Sequence, residues 1–388
     1  MTLPRYRRHD PLDVMRYLLQ IGPRLPTSVA EAQAAAYVDS RLRRAGLAVG
    51  ADTFKAPAHA GWTGLVYALP ALLAVLVLLL DLPVLAAVLL VIYGSLLIVL
   101  DAFALPLPSL APRHDSQNIV AVQACRDSVS DSAPQQPRWR VVLLAPLDTP
   151  PTTQGAAVLF GRQPVAHGMR LLCYALLLGL VWAAAPLWML ALPVLLLCIV
   201  AVPPAAQSST SDVFGSSGAL AAGLATVAQL PQPATVEVWV VALGASTSDD
   251  AGITDLLRRY PFDVSETLLI CLPHIGEGDL VQLTQTGLLR QHAADPLLRE
   301  VFSMIAPGVA VPLRTAVAAA PARFVALLHR RGYRVLALHT RADPEPYIPR
   351  DEAMVRLDFA NLDPVSRLLI GVIGYLDHIH VVLYDNHR

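Results

Sequence analysis

Apolar and charged positions are distributed unevenly along the chain and divide it into two kinds of segment. Three stretches contain no Asp, Glu, Lys or Arg, namely residues 56–80, 82–100 and 171–211. Elsewhere, short β-branched runs alternate with segments whose apolar residues recur with a period near 3.6. The long uncharged stretches are typical of membrane-spanning helices, whereas the alternating runs are typical of an α/β domain.

The uncharged stretches predict four transmembrane helices arranged as two hairpins. A bilayer core about 30 Å thick needs roughly 20 apolar helical residues. Residues 62–80 and 83–100 each meet this requirement, and residues 171–204 predict a second hairpin that turns near residues 185–186. Buried core helices are the alternative, but a core helix is seldom apolar on every face.

The basic residues predict how such a protein would be oriented. With four spans, both termini and residues 106–167 lie on one side, and that side holds all 29 Lys and Arg residues. The positive-inside bias then predicts a multi-pass protein of the cell inner (plasma) membrane, with its soluble domain on the cytoplasmic side. The first residues contain no apolar stretch of the kind found in a secretory signal peptide.

The rest of the chain predicts an α/β fold with a mostly parallel or mixed sheet sandwiched by helices. Two helices are expected within residues 11–46. Strands are expected at residues 118–123, 140–145, 235–243, 267–272 and 334–339. Further helices are expected at residues 217–229, 252–259, 320–331 and 364–378. Alternation of this kind favours helices on both faces of one sheet.

The two hairpins interrupt this domain twice. We expect its parts and the hairpins in the order 1–60, 61–104 (first hairpin), 105–167, 168–204 (second hairpin) and 205–388.

Composition excludes several classes of protein. Hydrophobic residues make up 55% of the chain and charged residues only 15%, far from the roughly 25% charged residues of an ordinary soluble protein. The net charge of −1 offers no field that would attract nucleic acid, so no nucleic-acid partner is expected. The four cysteines form no CxxC pair, which argues against both a disulfide framework and a cysteine zinc site.

Seven segments together resemble the di-zinc aminopeptidases. They occur in that family's order and cover essentially all of the sequence outside the predicted hairpins. They are IGPRLPTSVAEAQAAAYVDSRLRRAGLAV (21–49), NIVAV (118–122), VVLLAPLDT (141–149), SSGALAAGLATVAQL (216–230), VEVWVVALGA (236–245), LLICLPHIGEGD (268–279) and PYIPRDEAMVRLD (346–358). The resemblance implies an aminopeptidase-like fold into which both hairpins are inserted.

The resemblance also implies where metal ligands would stand. In that family, His, a bridging Asp, Glu, a second Asp and a second His hold two zinc ions, and a neighbouring Glu is the general base. The first His falls on Pro146, the bridging Asp on Phe214, the second Asp on Pro273 and the second His on Tyr347. The Asp two residues after the first ligand survives as Asp148.

Two registers are open for the family's Glu–Glu pair. Anchoring on Gly244 places Ser246 and Thr247 there, and anchoring on Gly252 places Asp249 and Asp250 there. Either register leaves most ligand positions without the family's residue.

The losses imply a degenerate, membrane-anchored pseudo-peptidase, similar in kind to nicastrin and nicalin. We therefore expect no catalytic residues, no zinc and no other cofactor. The expected function is that of a non-catalytic scaffold or a peptide- or protein-binding subunit of a membrane complex. The expected partners are the lipid bilayer and either other membrane protein subunits or a homo-oligomer.

A membrane-anchored zinc aminopeptidase with a rearranged metal site is the alternative. In it, Asp148, Asp212, Asp250 and His274 would hold the metal, and Asp249 and Asp250 would be the catalytic candidates. Polar residues are common in strand-end loops for other reasons, which favours the interpretation without a metal. A third hypothesis, a transporter or channel part, is disfavoured because Asp81 and Asp101 lie at predicted span ends rather than at mid-membrane.

Overall fold

Helices and strands alternate along most of the chain in the structure, which is a computed structural model. It describes residues 10–58, 63–102, 112–126, 139–150, 163–183, 186–201, 210–248, 250–287, 291–318, 322–341 and 361–385. The strands are β1 (Ala48–Pro57), β2 (Arg113–Gln123), β3 (Trp139–Pro146), β4 (Val236–Leu243), β5 (Thr267–His274), β6 (Asp279–Thr286), β7 (His292–Ala293), β8 (Leu313–Ala318) and β9 (Arg334–Arg341).

The helices are α1 (Pro11–Ile21), α2 (Val29–Arg44), α3 (Thr63–Leu78), α4 (Pro83–Ala102), α5 (Gln163–Trp182), α6 (Leu187–Ala201), α7 (Thr210–Gln229), α8 (Ala251–Arg259), α9 (Pro296–Gly308), α10 (Arg323–Arg330) and α11 (Leu362–Asp385).

All nine described strands join one mixed sheet. Its order is β1-β2-β4-β3-β5-β9-β6-β7, and β8 also pairs with β6. The centre is parallel, because β3 pairs in parallel with β4 and β5, and β5 pairs in parallel with β9. Towards the edges the β1–β2, β2–β4 and β6–β9 pairs are antiparallel. The expected mixed α/β sheet is therefore present.

Helices cover the sheet on both faces and create two apolar cores. One core lies under α1, α2, α7, α9 and α11, and the other lies under α8 and α10. Strand β3 contributes side chains to both cores. Val141 and Leu143 belong to the first core, and Val142 and Leu144 belong to the second. Side chains of a strand point alternately to its two faces, so a strand covered on both sides is apolar throughout.

The helices α3, α4, α5 and α6 pack on one another rather than on the sheet. Helix α3 lies against α4 and α6, and α5 lies against the same two helices. Their shared interior consists of Ala71, Ala74, Ala86, Leu90, Cys173, Tyr174, Leu177, Val181 and Leu190. We refer to these four helices as the helical cluster.

The prediction of four transmembrane helices is wrong. Within the described ranges, no helix combines the length and the apolar character that crossing a bilayer requires. Helices α3 and α6 have 16 and 15 residues, fewer than the roughly 20 needed for a 30 Å core. The predicted multi-pass location in the plasma membrane, with the remaining domain on the cytoplasmic side, is contradicted with it.

Candidate functional site

The carboxyl ends of the central parallel strands meet at one edge of the sheet, beside the start of α7. Strand β3 ends at Pro146, β5 ends in Pro273 and His274, and β4 leads into the loop that contains Ser246 and Thr247. Loops at this edge are the usual ligand-binding place in sheets of this type. We call this region the strand-end site.

Asp148 is fully buried in the strand-end site and its carboxylate is bound by the chain itself. Its Oδ1 accepts the backbone N–H of Ser246 at 2.9 Å. Its Oδ2 accepts the backbone N–H of Thr247 at 2.9 Å and the Thr247 hydroxyl at 2.5 Å. The structure thus brings three of the predicted site residues together, with Asp148 closing the loop after β4 onto the end of β3.

Arg24, a residue that sequence reasoning did not select, lies beside Asp148. Its side chain is fully buried and its Nε donates to the carbonyl of Leu147 at 2.7 Å. Its two terminal nitrogens donate to the hydroxyls of Ser216 and Ser217, at 2.8 and 3.0 Å. The guanidinium therefore ties the end of β3 to α7. Burial lowers the pKa of Arg24 to about 10, against the opposing charges of Asp148 and Glu31.

Glu31 is the second buried acid of this region, and sequence reasoning missed it as well. Its carboxylate accepts the backbone N–H of Ala245 at 2.7 Å and that of Thr27 at 2.6 Å. The hydroxyl of Ser116 donates to it at 3.1 Å. Burial raises the pKa of Glu31 to about 8, the charge of Asp148 adds to the effect, and the three hydrogen bonds oppose it.

A single sequence offers little sign of this cluster. Arg24 and Glu31 lie far along the chain from Asp148, and each of the two would pass as an ordinary surface residue. The one local signal is the helix start at Ser28, whose hydroxyl oxygen accepts the backbone N–H of Glu31 at 3.2 Å.

His274 contacts β9 through a polar contact and a stacked ring. Its Nδ1 lies 3.2 Å from Oγ1 of Thr340 on β9, and that oxygen also accepts the backbone N–H of Gly276 at 2.7 Å. The ring stacks on His339, with centroids 5.2 Å apart. His339 on β9 thus packs against the ring of His274.

Two glycines let the start of α7 approach the loop after β5. A Cβ on Gly215 would lie 2.0 Å from Nε2 of His274, and a Cβ on Gly218 would lie 1.9 Å from the carbonyl oxygen of Ile275. The buried ring of Phe214 lies on the same side, next to Gly276. The SSG segment of the sequence is therefore a close contact between a helix and a strand-end loop.

Asp250 is oriented towards a different helix. Its buried carboxylate lies 3.6 Å from Nε of Arg323, the first residue of α10, and α10 covers the sheet face opposite to α7. Burial raises the pKa of Asp250, and the charges of Arg323 and Arg330 oppose the shift. Asp249 and Tyr347 lie outside the described residues, and Asp212 lies in α7 with a side chain outside them.

The donor set at the strand-end site does not fit a di-zinc centre. Pro146, Phe214 and Pro273 carry no atom that could bind zinc, which takes imidazole, carboxylate or thiolate ligands. Both carboxylate oxygens of Asp148 are already bound by donors, and a buried guanidinium stands next to them. No three His, Cys, Asp or Glu side chains in the described part of the chain are grouped so that they could hold a metal ion.

Solved structures with the same fold include zinc aminopeptidases and glutaminyl cyclases. A leucine aminopeptidase precursor from Bacteroides thetaiotaomicron gives a TM-score of 0.53 at 11% identity, over 96% of this chain and 98% of that one. A zinc aminopeptidase from Bacillus subtilis gives 0.52 at 11%, over 97% and 96%. The glutaminyl cyclase of Porphyromonas gingivalis gives 0.51 at 11%, over 95% and 98%.

Neither a family model nor a curated protein matches the sequence. At 11% identity the structural likeness shows the fold alone, and the chain has a zinc-aminopeptidase-like fold. The resemblance drawn from the seven segments is confirmed at that level.

Proposed function

We propose that this chain is a non-catalytic protein with an aminopeptidase-like fold, which serves as a scaffold or binds a peptide or protein at the strand-end site. The observation that supports the proposal most directly is the hydrogen bonding of Asp148. Its two oxygens accept two backbone N–H groups and one hydroxyl in a fully buried setting. A carboxylate so bound would have to give up these donors before it could bind a metal.

The neighbouring positions support the same conclusion. Zinc hydrolases activate water on a metal that is held by several protein ligands, with an open position for the substrate. Here proline and phenylalanine stand at three of the corresponding positions, and Arg24 supplies the positive charge that the buried acids need. Closure by hydrogen bonds makes the site rigid without a metal ion.

A partner can still reach the edge of the strand-end site. Thr247, Pro273 and His274 are half-buried, and Gly278 in the following turn is exposed. Half-exposed residues on rigid strand ends suit the binding of a peptide segment, because little conformational freedom is lost when the partner binds.

The first experiment measures hydrolysis and peptide binding with the full chain. We expect no hydrolysis of a panel of aminoacyl substrates, with or without added zinc. In a library of short peptides, we expect some peptides to bind. Pro273→Arg should weaken this binding. The matched control Val29→Arg, at a 75% exposed position on α2, should leave it unchanged.

Turnover that depends on zinc would overturn the non-catalytic proposal. Binding that Pro273→Arg does not affect would show that the strand-end site is not the binding surface.

A further inference from the structure

A small cavity lies between α1, α2 and α7. Its lining consists of apolar side chains and one arginine. For the centre of a water-sized sphere its volume is about 10 Å³, which is room for one water molecule or one ion of similar size. The apolar lining includes Val14 of α1, Leu42 of α2, and Leu224, Ala225 and Ala228 of α7. We call this space the three-helix cavity.

The arginine in the lining is Arg41, in the last turn of α2. Its Nη2 is buried and has no hydrogen-bond partner in the part of the chain that the structure describes. The guanidinium also lies near the ring of Tyr37, with its Cζ 5.7 Å from the ring centroid. Buried donors without a partner are rare and costly in native proteins, so the N–H groups of this nitrogen point to a ligand.

Arg24 shows what a satisfied arginine looks like at the other end of the same three helices. Its Nη1 donates to the carbonyl of Leu18, near the end of α1, and to the hydroxyl of Ser217, near the start of α7. Within the described residues, the chain supplies no such acceptor to Nη2 of Arg41. The acceptor for this nitrogen must therefore come from outside the chain.

The lining favours an anion over a water molecule. A buried water needs two to four polar partners, and the side chains of the three-helix cavity offer one polar group. Backbone donors beside the cavity are already bonded. The N–H of Leu12 binds the Asp10 carboxylate at 2.9 Å, and the N–H of Ala45 binds the carbonyl of Arg41 at 3.0 Å.

A monatomic anion suits such a lining because it needs charge and contact rather than several directed hydrogen bonds. The guanidinium supplies a positive charge and is itself only weakly hydrated. The apolar walls exclude water, which strengthens the attraction between the two charges. Chloride and bromide lose their hydration more readily than fluoride, so they are the halides expected to enter.

We propose that the three-helix cavity binds one monovalent anion of halide size, chloride or bromide, on Nη2 of Arg41. The bound anion would contact α1 and α7 as well and so join the end of α2 to both helices. The three-helix cavity shares no residue with the strand-end site. The anion can therefore bind whether or not the strand-end site binds a peptide, and each proposal can fail without the other.

Chloride NMR of the full chain tests the proposal directly, because exchange with a protein site broadens the line of free chloride. The native chain in sodium chloride should broaden this line. Added sodium bromide should reverse the broadening by competition, whereas sodium fluoride at the same ionic strength should not. Arg41→Gln should lose most of the broadening. The matched control Arg44→Gln, which removes an exposed arginine from the same turn of α2, should keep it.

A second pair of variants keeps the proposal testable if Arg41→Gln does not fold. Ala228→Leu retains Arg41 and fills the three-helix cavity from α7, so most of the broadening should again be lost. Gln229→Leu, on the exposed neighbouring residue outside the lining, should keep it.

A native chain that does not broaden the chloride line would overturn the proposal. Broadening that Arg41→Gln and Ala228→Leu both retain would overturn it as well, since chloride would then bind elsewhere. An equal loss in Arg44→Gln would also contradict it, because the basic end of α2 would then attract chloride without a defined site.

Discussion

Among single residues, Glu31 gives the clearest prediction of how the free energy of unfolding depends on pH. Its pKa is raised from 4.5 to about 8, so between these values the folded chain retains a proton that the unfolded chain releases. The contribution of Glu31 to the free energy of unfolding is complete below about pH 4.5 and is lost as the pH rises through 8. We expect the free energy of unfolding to fall across this window.

Chemical denaturation at a series of pH values measures this effect. In Glu31→Gln, the free energy of unfolding should fall less steeply between pH 4.5 and 8, because glutamine has no proton to lose. Glu300→Gln, on an exposed residue of α9, is the matched control and should retain the slope. Equal slopes in the native chain and Glu31→Gln would show that Glu31 is ionised throughout.

Asp148 allows a prediction about hydrogen bonding. In Asp148→Asn the single carbonyl oxygen could accept from Ser246 or from Thr247, but the amide nitrogen would face a donor. We expect a loss of about 1–3 kcal/mol in the free energy of unfolding, as for a buried donor that is left without a partner. An unchanged unfolding midpoint would contradict the role given to Asp148 as the group that closes the site.

At the scale of elements, the contact between α7 and the loop after β5 leaves no room for a side chain at Gly215. Its Cβ would lie 2.0 Å from the ring of His274. Overpacking of this kind costs about 1–3 kcal/mol, so Gly215→Ala should lower the unfolding midpoint. Gly223→Ala is the control within the same helix.

Apart from Gly223, its two chain neighbours and the nearby backbone of its own helix, no atom lies within 4 Å of a Cβ built on Gly223. That substitution should therefore stabilise the helix by about 0.5–1 kcal/mol. Adding His274→Ala to Gly215→Ala should recover part of the loss. If Gly215→Ala were as stable as Gly223→Ala, the close approach of α7 to β5 would be wrong.

The sequence predicted those elements whose pattern depends on burial alone. Strands β3, β4, β5 and β9 are covered on both faces and are continuous apolar runs, so they were found. Strands β1, β6 and β8 were not, because strands with one exposed side mix polar and apolar residues, as Asp52 and Lys55 do in β1. The apolar runs of α3 to α6 were correctly predicted as helices. They were wrongly assigned as spans, since no helix within the described ranges is both long and apolar enough to cross a membrane.

The candidate site could be predicted only in part, because some of its residues have partners that are distant along the chain. Asp148, Ser246 and Thr247 were selected through the resemblance to the di-zinc aminopeptidases, and the structure brings them together. Arg24 and Glu31 were not, because their partners lie across the fold, as in the contact between Arg24 and Leu147. The partners of a buried charge become visible only once the chain is folded.

For the whole molecule, the structure combines an aminopeptidase-like fold with a strand-end site that is closed by its own hydrogen bonds. The Arg24 guanidinium lies beside the buried acids Asp148 and Glu31, and Glu31 retains its proton up to about pH 8. We propose that these hydrogen bonds hold the strand ends together without a metal ion.

Zinc stoichiometry of the purified full chain, measured by mass spectrometry of the metal after equilibration with zinc and dialysis, tests this claim most directly. We expect much less than one zinc ion per chain, and no change in the Asp148→Ala variant. Two zinc ions per chain in the native protein, lost in Asp148→Ala, would contradict it and would favour a rearranged metallopeptidase site.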